Sequence, residues 1–146
     1  MPVAADQLTD AWETFFRTIR RLRARAGRMS GDGLSVPQYH LLEPLRTADE
    51  LSVGELADGA GVAAPTATRM LDCLARDGFV VRRHSETDRR SVLVSLTPAG
   101  EEAVEAAHAE VEAFRRRVFE ALEPAERDQA AALLARLSDA LEEELA

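Results

Sequence analysis

The sequence predicts a mainly helical fold with a small β-wing: a winged helix-turn-helix unit flanked by long N- and C-terminal helices. Three observations predict it. Two helical segments meet at a glycine turn within SVGELADGAGVAAPTATRMLDCLARDG, two strand-like runs follow as FVVRRH and SVLVSL, and long amphipathic stretches lie on either side. Short polar and guanidinium groups open the second of those helices, a composition suited to base edges in a major groove. The tip between the two runs carries two arginines, which suit a neighbouring minor groove.

At 146 residues with 46% hydrophobic side chains, the chain reads as a single domain able to bury a core. Neither a secretory leader nor an 18-residue apolar run is present, so the expectation is a cytoplasmic protein with no membrane partner. One cysteine, Cys73, excludes an internal disulfide, and His40, His84 and His108 lack metal-ligand spacing. No cofactor or metal is expected. No nucleophile and base at usable spacing and no phosphate-cradling loop appear, so the reading is not an enzyme.

The net charge of −8 argues at first against nucleic acid, whose affinity rests on neutralised phosphates. Its distribution argues the other way. Residues 98–146 hold thirteen acids and five arginines, whereas residues 62–97 hold six arginines and four acids. Residues 17–28 hold six arginines and no acid. Acid is therefore segregated away from the candidate reading unit.

In chain order, Leu8, Ala11, Trp12, Phe15, Ile19 and Leu22 recur at helical spacing, which predicts a first helix from about residue 6 to 26. Its other face, Arg17 to Arg28, reads first as a solvated surface and second as a site for phosphate or for attraction of a ligand. Gly27 and the SGDGLS segment break it. Ser35-Val36-Pro37-Gln38 is a capping box with proline in the first turn, so a second helix starts at Val36 and kinks or ends early at Pro44. Tyr39 and Glu43 share a face there. With Trp12, Phe16 and His40 they are candidate ligand contacts in a pocket between the first two helices, or else an ordinary helix seam.

Ser52-Val53-Gly54-Glu55 is a second capping box, starting a short helix through Asp58. The next helix spans Ala64 to Asp77. Ala67, Met70, Leu71 and Leu74 form its buried stripe, while Thr66, Arg69, Cys73 and Arg76 face outward. Gly78 ends it. Pro65, Thr66, Thr68, Arg69 and Arg76 are its candidate DNA contacts, joined by Asp88, Arg89 and Arg90 on the wing, where Asp88 could orient an arginine. Thr97-Pro98 caps a long helix with the stripe Val104, Ala107, His108, Val111, Phe114, Val118 and Leu122. Pro124 starts the last helix, with leucines at three- and four-residue spacing. These two helices present more apolar surface than the small unit can cover, which predicts a two-fold homodimer.

From Leu34 to Gly100 the chain resembles the multiple-antibiotic-resistance-regulator (MarR) family, through LSVPQYHLL, LSVGELADGAGV, APTATRMLDCLARDGFVVR and DRRSVLVSLTPAG. The resemblance implies a dimer in which residues 6–28 and 98–146 dimerise and residues 35–97 form the winged unit. It also implies Pro65, Thr66 and Arg69 in the major groove, Arg90 supported by Asp88 in the minor groove, and a double-stranded, pseudo-palindromic operator. A ligand-responsive regulator, more often a repressor in this family, follows, with a small aromatic or amphipathic, often anionic, effector. Ala63 departs from the family's serine-like cap, and Cys73 stands where a basic residue is common. The competing expectation is a winged-helix interaction or anti-repressor module without DNA binding, to which the acidic total charge lends weight.

Overall fold

The computed structural model describes residues 2–27 and 33–146, with the side chains of residues 2–4 left out. The helix break read at Gly27 onward, together with Arg28, lies mostly outside the described residues. Its elements are α1 (Pro2–Arg25), α2 (Val36–Leu42), a 3-10 turn (Glu43–Arg46), β1 (Leu51–Ser52), α3 (Val53–Ala60), α4 (Ala64–Arg76), β2 (Val80–His84), β3 (Val92–Leu96), α5 (Pro98–Phe119) and α6 (Pro124–Leu145). They divide into two units, residues 1–108 and 109–146, with the boundary inside α5.

Local chemistry sets most helix boundaries in the first unit. Ser35 accepts from the Gln38 amide while Gln38 caps the Ser35 amide, and Ser52 and Glu55 repeat the arrangement at α3. Each box satisfies two helix-end donors that would otherwise lack partners. The α-helix stops at Leu42 and tightens into the 3-10 turn, because Pro44 cannot donate to the preceding turn. Helix α3 runs to Ala60, two residues further than expected, and ends where Gly61 turns left-handed at φ 65°. Ala63 caps α4 without any side-chain hydrogen bond, as its methyl group dictates. Helix α1 starts at Pro2, four residues before the expected Asp6.

The sheet holds a strand that the sequence reading missed. Its order is β1-β3-β2, all antiparallel, with Leu51 opposite Val94 and Val80 opposite Leu96. Strand β1 has two residues and doubles as the cap of α3, so no alternation reveals it. Central β3 places Val94 in the core beside Val80, with Leu41, Leu42 and Leu56 from α2 and α3 and Leu71 and Leu74 from α4. Each such leucine stabilises the fold by about 1.5–3 kcal/mol on burial. Met70, expected in the stripe of α4, is only half-buried.

Helix α5 is joined to this unit by a close approach. Thr97 donates its hydroxyl to the Gly78 carbonyl at 2.6 Å and accepts from the Gly100 amide at 3.0 Å, while its own amide reaches the Phe79 carbonyl at 3.0 Å. A Cβ on Gly100 would stand 1.9 Å from that Phe79 carbonyl oxygen, a backbone atom that cannot move aside. The TPAG signature is thus a packing requirement: threonine to bridge, glycine to admit the strand. Val104 and Ala107 follow on the same helix, both buried.

In the second unit, α5 ends at Phe119, so Leu122 of the expected stripe lies in the turn beyond it. Glu123 and Glu126 form a capping box at α6, and Arg127 Nε donates to the Phe119 and Leu122 carbonyls, both at 3.0 Å. Helix α6 buries no residue, leaving Leu133, Leu134, Leu137 and Leu141 exposed. Replacing Gly100 with alanine should cost about 1–3 kcal/mol by overpacking, read as a lower urea midpoint with an unchanged slope.

Candidate nucleic-acid interface

Helix α4 buries Ala67, Leu71 and Leu74, which turns Pro65, Thr68, Arg69 and Arg76 to solvent and leaves Thr66 half-buried. Proline at the second helical position costs no hydrogen bond, because that amide has no intrahelical acceptor. Cys73 is half-buried rather than exposed as expected, since α4 turns it toward the flank of the buried stripe. Its sulfur accepts from Arg76 Nη2 at 3.2 Å.

The wing is shaped by its own polar side chains. Ser85 Oγ accepts from the amides of Thr87 and Asp88, and the Ser85 amide reaches the Ser91 carbonyl at 2.9 Å. Asp88 was expected to orient an arginine guanidinium. Its carboxylate instead accepts from the Arg90 backbone amide at 3.0 Å and from the Ser91 hydroxyl at 3.1 Å. The turn is too tight for Asp88 to do both, so it holds the backbone of the tip and leaves the guanidinium groups clear. The guanidinium groups of Arg89 and Arg90 are exposed and have no hydrogen-bond or ion-pair partner among the described residues.

Of the six arginines of residues 62–97, Arg76 reaches Cys73 and the other five fall into two sets with different work. Arg82 pairs with Asp72, tying β2 to α4, and Arg83 grips both oxygens of Glu50 at 2.6 and 2.8 Å, tying β2 to the segment before β1. The Glu50 hydrogen bond and charge raise the Arg83 pKa further above its ordinary value. These two side chains brace the wing. Among the described residues Arg69, Arg89 and Arg90 have no such carboxylate, so their charge is open to an outside anion. A cleft of about 390 Å³ joins the two reading elements, with Thr68 of α4 and Arg90 of the wing on its walls alongside Arg82.

The candidate ligand residues are brought together only in pairs. Trp12 and Phe16 stack at 4.6 Å between ring centres and remain 38% and 37% exposed. Tyr39 and His40 lie 5.3 Å apart on α2, and Glu43 is 3.9 Å from Arg46. The expected phenol in a pocket toward the first helix is corrected. Tyr39 is 2% exposed and its hydroxyl lies 2.8 Å from His108 Nδ1, so it faces α5. One turn earlier on α5, Glu105 accepts from Arg46 Nε at 2.9 Å. No group of three His, Cys, Asp or Glu among the described residues could hold a metal, and no described helix is long and apolar enough to cross a membrane.

A helix whose polar face is led by proline, threonine and arginine, continuous with an arginine-tipped hairpin, defines a winged helix-turn-helix of the nucleic-acid-reading class. Comparison with known proteins agrees. The sequence profile of the MarR family matches residues 34–92. The HTH-type transcriptional regulator YfiV of Bacillus subtilis is 36% identical over 109 residues, covering 75% of this chain and 68% of YfiV. The HTH-type transcriptional repressor MdtR of the same organism is 32% identical over 114 residues, covering 78% and 74%. Among solved structures, a mutant MarR from E. coli complexed with operator DNA superposes with a TM-score of 0.74 at 26% identity, covering 86% of this chain and 91% of that one. Bordetella bronchiseptica BpsR, whose DNA binding is regulated by 6-hydroxynicotinic acid, gives 0.75 at 26%, covering 88% and 98%. The chain belongs to the MarR family of transcriptional regulators.

The Arg46–Glu105 pair makes a pH prediction. The hydrogen bond from Arg46, then its charge, holds the Glu105 carboxyl below the usual carboxylate range. A lowered folded pKa means that the pair's contribution is complete above the unfolded value of about 4.3 and is lost as pH falls through the folded value. Glu105→Gln should therefore lower the urea midpoint slightly at pH 7 and flatten the acid limb, the variant converging on the wild type as pH falls below about 4.

Proposed function

We propose that two copies of this chain bind one pseudo-palindromic operator in double-stranded DNA and act as a ligand-responsive repressor. The observation that carries this reading is the pair of clear guanidinium groups, Arg89 and Arg90, on a wing whose backbone Asp88 has already shaped, beside an α4 face that ends in Arg69. In this reading Pro65, Thr66, Thr68 and Arg69 meet base edges, Arg76 meets a phosphate, and Arg89 and Arg90 enter the minor groove. Arg82 and Arg83 hold the wing and touch no base.

The dimer is supported by apolar side chains left uncovered in a single chain: Leu8, Phe15 and Leu22 on α1, Phe114 and Val118 on α5, and the leucines of α6. Monomeric proteins rarely leave so many large apolar side chains uncovered. Residues 6–28 and 98–146 supply the dimer contacts, and residues 35–97 the reading unit. The first turns of α5 also complete the core of the reading unit, through Gly100, Val104 and Ala107. To meet successive major grooves on one face of B-DNA, the dimer must hold its two α4 helices about 34 Å apart.

Repression is supported by the likeness to MdtR, and a small aromatic acid as effector by the likeness to BpsR. Trp12, Phe16, His40 and Glu43 are its candidate contacts, and Tyr39 would join them only by giving up His108. An effector acts only through its difference in affinity between DNA-competent and incompetent dimers. The protein works in the cytoplasm, where its operator is, and catalyses no reaction.

Fluorescence anisotropy with operator selected from random sequence tests the proposal. Arg90→Ala and Arg69→Ala should each weaken binding at least tenfold, about 1.4 kcal/mol, and Arg69→Ala alone should relax the preference for one base pair. Operator binding unchanged by either substitution would remove the assigned surface.

A further inference from the structure

Strand β2 carries two arginines in succession, and alternation along a strand turns them to opposite faces of the sheet. Arg82 meets Asp72 of α4 on the inner face. On the outer face Arg83 meets Glu50, with Nε on one carboxylate oxygen at 2.8 Å and Nη2 on the other at 2.6 Å. Its Nη1 turns back on its own strand, 3.4 Å from the His84 carbonyl. A guanidinium offers the same parallel pair of donors to a carboxylate as to a phosphate, so Glu50 occupies the edge that a phosphate would use. Bracing is one consequence of this pair, and the charge it neutralises is the other. Strand β2 is already held by five residues paired with β3 and by Arg82 on the inner face.

Arg83 stands where its charge would matter to DNA. It pairs across the sheet with Leu93, three residues from Arg90, which puts it within about 10 Å of strand length of the wing tip. A minor groove is about 6 Å wide and walled by phosphates, so a guanidinium at that distance from a tip in the groove reaches the backbone. The Arg83 side chain is 54% exposed and that of Glu50 27%, so the arginine is open to solvent and its carboxylate is what withholds it. Glu86 lends charge from nearby but no hydrogen bond among the described residues.

We infer that Glu50 is a positioning residue that withholds Arg83 from the DNA backbone: by gripping this guanidinium it lowers the number of phosphates each wing neutralises, and so keeps affinity for DNA of any sequence low. This rests on the reading of α4 and the wing as the DNA-binding surface, and it needs no particular arrangement of the dimer. A freed Arg83 would join Arg69, Arg89 and Arg90, which have no carboxylate among the described residues. Against so few open cations, one more is a sizeable share of the phosphate contacts.

The salt dependence of binding to a duplex of unselected sequence counts those phosphates, because log K falls with log salt by about 0.9 for each one neutralised. In fluorescence anisotropy between about 50 and 200 mM salt, Glu50→Gln should steepen the wild-type slope by about 0.9 for each wing on the duplex, an extra loss of roughly threefold per wing. The double variant Glu50→Gln/Arg83→Gln should return to the wild-type slope. Asp49→Asn makes the same change in net charge one residue away but frees no arginine, since the exposed Asp49 has no ion-pair partner among the described residues. It should leave the slope unchanged. The charged ends of Glu50 and Arg83 reach solvent, and a thermal midpoint within a few degrees of the wild type checks that each variant is folded. A wild-type slope in Glu50→Gln, an equal steepening in Asp49→Asn, or a steep slope retained in the double variant would overturn the inference and leave the DNA reading standing. A wild type that binds no duplex at either salt would overturn the reading of the surface and this inference with it.

Discussion

The bridge from Thr97 to Gly78 and Phe79 is the constraint on which the remaining geometry depends. At one point it joins the end of α4, the start of β2, the end of β3 and the start of α5. Thr97 closes it with three hydrogen bonds, and Gly100 permits it by presenting no side chain to the Phe79 carbonyl. With that junction in place, α4 and the wing form one surface, and the first turns of α5 are packed against it. A side chain at position 100 would crowd the Phe79 carbonyl and strain this junction.

Electrostatics within this frame follow from which cations already have partners. A chain of net charge −8 has little use for nonspecific attraction to phosphate. What it has is a division of labour. Asp72 and Glu50 neutralise Arg82 and Arg83, making them braces for β2, while Arg69, Arg89 and Arg90 have no carboxylate partner among the described residues. Local placement outweighs the total, because screening confines each charge's influence to about 10 Å.

Much of this was legible in the sequence, and what was legible is local. The boxes at Ser35 and Ser52, the stop at Pro44 and the starts at Thr97 and Pro124 each depend on contacts within four residues, which spacing alone reveals. The missed features need residues far apart in the chain. Strand β1 exists only because Leu51 meets Val94, and Tyr39 faces α5 only because His108, 69 positions away, stands opposite. The same holds for the arginines. Sequence placed six on the reading unit but could not show that Arg83 is held by Glu50, 33 positions earlier. Asp88 was read as orienting an arginine side chain, yet its partners are the backbone amide of Arg90 and the hydroxyl of Ser91, because a turn that tight leaves an amide closer than a guanidinium.

The central claim is that α4 and the wing form one DNA-reading surface, repeated by symmetry. Hydroxyl-radical and methylation footprinting on operator selected from random sequence tests it most directly. The account predicts major-groove protection in two half-sites one helical turn apart, centre to centre about 10 base pairs, each flanked by minor-groove protection that disappears in Arg90→Ala. A footprint confined to one half-site, or one whose minor-groove flanks persist in that variant, would contradict it.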